Sequence, residues 1–234
     1  MALLHPLDRP VWSALTGARQ AVLAQGDPAV ALRFDPAYAM FAVTVDGESH
    51  TLQALERLIP AGGAVALIEA GEVALPVGVE ARQAQGVQMT ARALTGGGAD
   101  LAFEALGDGD AAEMLALATL TEPGPFFEKT HRLGDFVGVK QDGRLVAMAG
   151  ERMKPDGFTE VSGVCTHPDW RGRGYAAGLM RLVTERILGR GETAFLHSYA
   201  ANAEAISLYQ SLGFSVRSPM TFSFLGGGGL FGHG

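Results

Sequence analysis

Two glycines and two arginines fall within the six residues Arg171-Gly172-Arg173-Gly174-Tyr175-Ala176, between a stretch that reads as a strand and one that reads as a helix. The first turn of a helix presents backbone N–H groups without intrahelical partners, at the positive end of the helix dipole. Glycines at the approach let an anion reach those groups with no Cβ in the way. The chemistry this suits is the holding of a phosphate or pyrophosphate. A P-loop needs Gly-x-x-x-x-Gly-Lys-Ser/Thr, and no lysine follows Gly174. A dinucleotide fingerprint needs Gly-x-Gly-x-x-Gly, and Ala177 stands in the third place. That fingerprint tolerates alanine, so the firmer arguments against it are the missing ribose-binding acid and the lack of a further parallel βαβ repeat.

Other reactive residues are sparse. Cys165 is the only cysteine, which excludes an intrachain disulfide. Its apolar surroundings at residues 161–166 mark it as a packed strand residue rather than a nucleophile. His167 and His197 lie near the motif strands without cysteines or carboxylates at ligand spacing, so no metal site is expected; His131 is a weak site candidate. The formal charge of −7 argues against a general nucleic-acid binder and suits a neutral or cationic substrate. Apolar runs such as residues 64–68 and 115–120 are far short of the roughly 20 residues of a membrane span. The N-terminus lacks the basic-then-apolar order of a signal peptide, so the expected location is cytoplasmic, with no membrane partner.

The elements that would position the loop follow from periodicity and punctuation. Residues 1–98 read as a smaller α/β region with helices at 10–25 and 51–58 and strands at 40–45, 64–69 and 87–93, and nothing in it looks catalytic. The run Thr95-Gly96-Gly97-Gly98-Ala99-Asp100 is the expected boundary. In residues 99–234 a helix is expected at 110–120, capped by Asp110, followed by a hairpin of strands 136–140 and 145–151 turned at Gln141-Asp142-Gly143. A strand at 159–166 leads into the loop and a helix at 172–188, whose Tyr175, Leu179, Leu182, Val183 and Ile187 share one face. A strand at 193–198, a helix at 203–212, strands at 214–216 and 221–225, and a flexible glycine-rich tail from 226 complete the chain.

The loop has company on both sides. Before it stands Ser162-Gly163-Val164-Cys165-Thr166-His167-Pro168-Asp169-Trp170; after it come Asn202 and then Leu208-Tyr209-Gln210-Ser211-Leu212-Gly213-Phe214. Over residues 101–225 the chain resembles the GNAT superfamily of N-acetyltransferases, in a branch similar to the C-terminal domain of glycine N-acyltransferase. The resemblance implies an α/β (α+β) fold with a mixed, mostly antiparallel central sheet flanked by helices. The α/β alternation of residues 1–98 adds the expectation that they are a degenerate second copy of the same fold, which an unrelated strand order would refute.

The same resemblance implies acetyl-CoA as donor and a primary amine as acceptor, joined by direct attack with no acyl-enzyme. Arg171, Gly172, Arg173, Gly174, Tyr175 and Ala176 would hold the pyrophosphate of coenzyme A. Val164, Cys165 and Thr166 would meet the pantetheine arm and the thioester oxygen through main-chain groups, and Asn202 would bond the arm besides capping its helix. Glu160 is the candidate general base, provided burial raises its pKa toward neutrality; an exposed strand carboxylate is the other reading. Tyr209 would protonate the departing sulfur, or simply pack as a helix-face aromatic. Phe126 and Phe127, with acids around them at residues 122–128, and Tyr199 are the candidate acceptor contacts. A different acyl-CoA donor, or a non-catalytic coenzyme A sensor needing neither Glu160 nor Tyr209, are the alternatives. The acceptor is a small molecule or peptide, nucleic acid is not expected, and the oligomeric state stays open, a homodimer included.

Overall fold

A computed structural model describes residues 5–96 and 102–226. Its helices are α1 (Pro10–Thr16), α2 (Ser49–Leu58), α3 (Ala111–Thr121), α4 (Tyr175–Gly189) and α5 (Ala203–Ser211). Its strands are β1 (Ala24–Asp27), β2 (Ala31–Phe34), β3 (Ala42–Thr44), β4 (Val65–Glu69), β5 (Ala81–Ala91), β6 (Glu104–Leu106), β7 (Phe136–Gln141), β8 (Arg144–Glu151), β9 (Phe158–Thr166), β10 (Thr193–Tyr199) and β11 (Ser215–Leu225). Three strands form a small sheet β1-β2-β3, and eight form the main sheet in the order β4-β11-β5-β10-β9-β8-β7-β6. Every ladder in the main sheet is antiparallel except β9–β10. This is the expected mixed, mostly antiparallel sheet with flanking helices. The sheet runs across the expected boundary at 98, because β5 from the N-terminal region lies between β10 and β11. Residues 97–101 of the boundary run and 227–234 of the tail lie outside the described residues; Gly226 itself is buried and donates its N–H to Glu80 O.

Two apolar layers enclose the sheet. On one face Leu179, Met180, Val183 and Ile187 of α4 and Leu212 beyond α5 pack on Val137, Ala147, Ala149, Val161 and Leu196. On the other, Met114, Leu117 and Ala118 of α3 cover Phe136, Met148 and Cys165. Beside them, Leu7, Val11 and Leu15 from the N-terminal segment cover Phe195, Met220 and Phe222. Among the described residues, no helix is long and apolar enough to cross a membrane.

Departures from the expected elements have local causes. The helix expected over residues 10–25 stops at Thr16, since Gly17 is extended, and the freed chain forms a 3-10 turn and β1. β5 starts six residues early because its polar first half, Ala81 to Gly86, is held by ladders to β11 rather than by β-propensity. The two final strands are one, β11. Its Pro219 is tolerated because β4 pairs with β11 only from Thr221 onward, leaving that flank open. Asp110 does not cap α3 with its side chain; its carboxylate bonds Gly107 N–H at 2.9 Å and Lys140 Nζ at 2.7 Å. α4 begins at Tyr175, not 172, because Gly172 and Gly174 adopt φ of 74° and 78°, outside the helical region.

Candidate active site

The parallel strands β9 and β10 pair over only three positions, Phe158 with Thr193, Thr159 with Ala194, and Glu160 with Phe195. Beyond these they separate, β9 staying on β8 and β10 on β5. A bulge accompanies the opening: the β8–β9 register shifts between Met148 and Gly150, and Gly163 takes a φ of 63°. The Phe136 ring fills the space a side chain would need, 2.3 Å from a Cβ placed on Gly150 and 2.9 Å from one on Gly163. A bulge bends the strand that carries it, so the glycines and Phe136 together turn β9 away from β10. His167 N–H bonds Val146 O on β8 at 2.8 Å. Alternation along a strand therefore turns the backbone of Cys165 toward β8 and that of Val164 and Thr166 toward the opening.

The loop after β9 supplies the anion cradle. The first hydrogen bond of α4 runs from Gly178 N–H to Gly174 O at 3.0 Å, so the N–H groups of Tyr175, Ala176 and Ala177 have no acceptor in the helix. There is no acidic residue in that first turn to compete with a bound anion. Gly172 and Gly174 are exposed with left-handed φ, and a Cβ on either would meet nothing within 4 Å, so they serve backbone conformation rather than packing. Arg171 is exposed; Arg173 stacks its guanidinium 4.5 Å from the Trp170 ring centroid.

On the α4 and α5 face, Tyr209 is half-buried against the core with its ring 6.5 Å from that of Phe214. Burial pushes its phenol pKa up, so the hydroxyl keeps its proton. No hydrogen bond to another described residue engages that hydroxyl. Asn202 caps α5, its side chain accepting from Ala205 N–H at 3.2 Å. Cys165 points to the opposite face, beneath α3, where burial pushes its thiol up to about 11.

Glu160 departs from expectation. It is fully buried at the apex of the opening, where Arg152 Nε and Nη2 each donate to its carboxylate at 2.8 Å. Met153 N–H adds a bond at 3.3 Å and His197 Nδ1 one at 2.8 Å. Burial alone would raise its pKa, but the Arg152 charge and these bonds outweigh it and hold the carboxyl at about 2. The raised pKa required of a general base is absent because Arg152, eight residues earlier, supplies a cation that sequence spacing does not reveal.

In the sequence His197 stands as an isolated histidine, but in the fold it has close partners. Its Nε2 lies 3.0 Å from Gln88 Nε2, which also donates to Leu7 O at 2.9 Å, while Gln88 Oε1 accepts from Arg217 Nη1 at 2.9 Å. Those two outer bonds fix the amide, so His197 Nε2 must accept and its Nδ1–H donates to Glu160. Asp8 continues the chain at Arg217 with a bond of 2.5 Å. A line of polar groups, half-buried at Asp8 and Arg217 and buried from Gln88 onward, thus joins the N-terminal segment to β5, β11, β10, β9 and Arg152. The spacing of residues 8, 88, 152, 160, 197 and 217 gives no hint of it.

The expected acceptor contacts each have their own neighbours. Tyr199, half exposed, meets Phe222 with centroids 5.5 Å apart, and Phe222 lies flat over Gly86, where a Cβ would clash at 2.2 Å. Phe126 packs edge-on against Phe136 at 5.7 Å, beside Gly163. Phe127 is placed by its N–H, which bonds Thr130 Oγ1 at 2.7 Å. Buried His131 bonds Asp108 through Nε2 at 2.8 Å. Among the described residues no group of three or more metal-ligating side chains comes together.

A parallel pair that opens beside a helix start, within a mostly antiparallel sheet, is the frame that the resemblance to the N-acetyltransferases implies. The family model described as FR47-like protein matches residues 136–223. A GNAT-family protein from Novosphingobium aromaticivorans is 46% identical in sequence, with a TM-score of 0.88, over 97% of this chain and 100% of its own. The GCN5-related N-acetyltransferase from Kribbella flavida shares the fold at 19% identity and a TM-score of 0.65, over 94% of this chain and 96% of its own. So does a GCN5-related N-acetyltransferase-like protein from Streptococcus suis, at 14% and 0.61 over 92% of both chains. Comparison with the curated proteins gives no match. The chain belongs to the GNAT family of acetyltransferases. These matches do not single out the glycine N-acyltransferase branch.

Proposed function

We propose that the chain is an N-acetyltransferase that moves the acetyl group of acetyl-CoA to a primary amine by direct attack. The observation that carries this is the opening between β9 and β10, three residue pairs from the start of their ladder, beside the unpartnered N–H groups at the start of α4. The cradle fits a pyrophosphate: its glycines are positive in φ, its helix end is free of acids, and Arg171 and Arg173 stand beside it. Bound there, acetyl-CoA would supply the activated acyl group. The open edge at Val164 and Thr166 offers main-chain groups to the pantetheine arm, and an N–H there would stabilise charge developing on the thioester oxygen. Tyr209, protonated and unengaged on the α5 side, is the group that holds a proton for the departing sulfur.

Glu160 has a different part from the one its position suggests. A carboxylate held at about 2 takes up no proton near neutrality, and both its oxygens are engaged. The acceptor amine therefore arrives neutral or releases its proton to water, and Glu160 with Arg152 fixes the apex where the strands part. Tyr199 and Phe126 would serve as apolar contacts for an amine with an apolar portion. Cys165 lies under α3 with its thiol protonated, which leaves transfer without an acyl-enzyme.

The test is release of coenzyme A thiol from acetyl-CoA across a panel of primary amines at several pH values. The expected result is amine-dependent turnover whose acidic limb moves with the pKa of the amine supplied. Turnover that is independent of every amine, or an acetylated Cys165 trapped by mass spectrometry, contradicts the proposal.

A further inference from the structure

The N-terminal strands repeat the order of the C-terminal ones. β7, β8 and β9 form an antiparallel meander, α4 follows, and β10 returns parallel to β9. β1, β2 and β3 form an antiparallel meander, α2 follows, and β4 returns parallel to the start of β3 through the bridge between Phe41 and Ala66. In both units the parallel contact sits at the beginning of the strands, which then part. The last strand of each unit is lent to the other. β5 pairs antiparallel with β10, and β11 pairs antiparallel with β4, while β5 and β11 pair with each other at the centre. Even the register agrees: the final residue of each lent strand, Ala91 or Leu225, pairs at the start of the strand receiving it, Ala194 or Val65.

The two openings differ in what fills them. Between the ends of β3 and β4, Arg9 donates from Nη1 to Val45 O at 2.9 Å and from Nη2 to Thr44 O, and it pairs with Glu69 at 2.9 Å. At the start of α2, where α4 has its cradle, the Asp46 carboxylate accepts from Glu48 N–H at 3.0 Å and from the Thr51 hydroxyl at 2.9 Å. The cavity of about 280 Å³ left there is lined by Asp46, Glu69 and Glu72 and by Arg9, whose guanidinium is already paired with Glu69, so the remaining carboxylates repel an anion.

We infer that the N-terminal half is a degenerate second copy of the acyltransferase unit. Arg9 and Asp46 hold its donor opening shut, so the chain takes up one coenzyme A and not two. This rests on the β9–β10 opening being the donor site.

Calorimetric titration with coenzyme A, together with amide hydrogen exchange in the presence and absence of the ligand, tests it. The expected result is one molecule per chain, with slowed exchange at residues 172–177 and unchanged exchange at residues 46–51. In the surface variant Arg171→Glu, affinity falls by roughly tenfold or more and no second site appears. Two molecules per chain, or slowed exchange at residues 46–51, overturns the closed second opening while leaving the first intact. Absence of both heat and protection contradicts the donor site itself, and the count of one with it.

Discussion

The opening between β9 and β10 and its counterpart between β3 and β4 share a strand order and differ in chemistry. At the first, α4 starts behind two left-handed glycines; at the second, the Asp46 carboxylate stands two residues ahead of the α2 N-cap, accepting from Glu48 N–H and from the Thr51 hydroxyl. At the first, a buried arginine is committed to Glu160 at the apex; at the second, Arg9 reaches across the opening to the carbonyls at the end of β3. A strand pair that opens is therefore insufficient for a ligand site. What distinguishes the two is the charge at the approach to the helix: arginines at 171 and 173 before α4, and the Asp46 carboxylate before α2.

The largest expected effect comes from the apex. Arg152→Ala strands a fully buried carboxylate, and a loss of about 3–5 kcal/mol in urea unfolding is expected. A loss within about 1 kcal/mol, on the order of an exposed pair, would mean the apex is no more anchored than the surface. The pH dependence follows with a definite sign. The Glu160 pKa is depressed from 4.5 to about 2, so its contribution is full above about 4.5 and is lost as pH falls through 2. Unfolding midpoints of the wild type should fall over that window more steeply than those of Glu160→Gln; parallel curves would show that the carboxylate is not so held.

Next is Tyr209→Phe, expected to lower kcat by about 100-fold with the KM for acetyl-CoA unchanged. A variant at full rate removes the proton-donor role. A smaller effect is expected from copying the device of the second opening into the first. Gly172→Asp sets a carboxylate two residues ahead of the α4 N-cap, as Asp46 stands ahead of the α2 N-cap, and coenzyme A affinity by calorimetry should drop by roughly tenfold. Unchanged affinity would break the comparison between the openings. The smallest effect belongs to Cys165→Ala, with turnover expected within about twofold of wild type, as suits a thiol that packs rather than reacts.

Much of the loop beside the β9–β10 opening is legible in the amino-acid sequence. Glycines at 172 and 174 signal a left-handed approach to a helix, and the spacing from there to Asn202 and Phe214 places the second motif. The mixed sheet follows from the family resemblance, and most C-terminal elements follow from periodicity. What local pattern does not carry is non-local. β1 and β2 are short strands of four residues, and β5 owes its length to neighbours on both sides, each more than a hundred residues away. Position alone makes Glu160 a candidate base, yet its ionisation is set by Arg152 across a hairpin, and His197 matters only because Gln88 arrives from the lent strand. A residue's chemistry at this apex is decided by partners that no local pattern records.

The central claim is tested most directly by a crystal structure of the chain soaked with acetyl-CoA. Pyrophosphate oxygens are predicted within hydrogen-bonding distance of the N–H groups of residues 172–177, with the thioester beside the open edge of β9 near Val164. Acetyl-CoA seated instead near Arg9 and Asp46, or failing to bind at millimolar concentration, would contradict it.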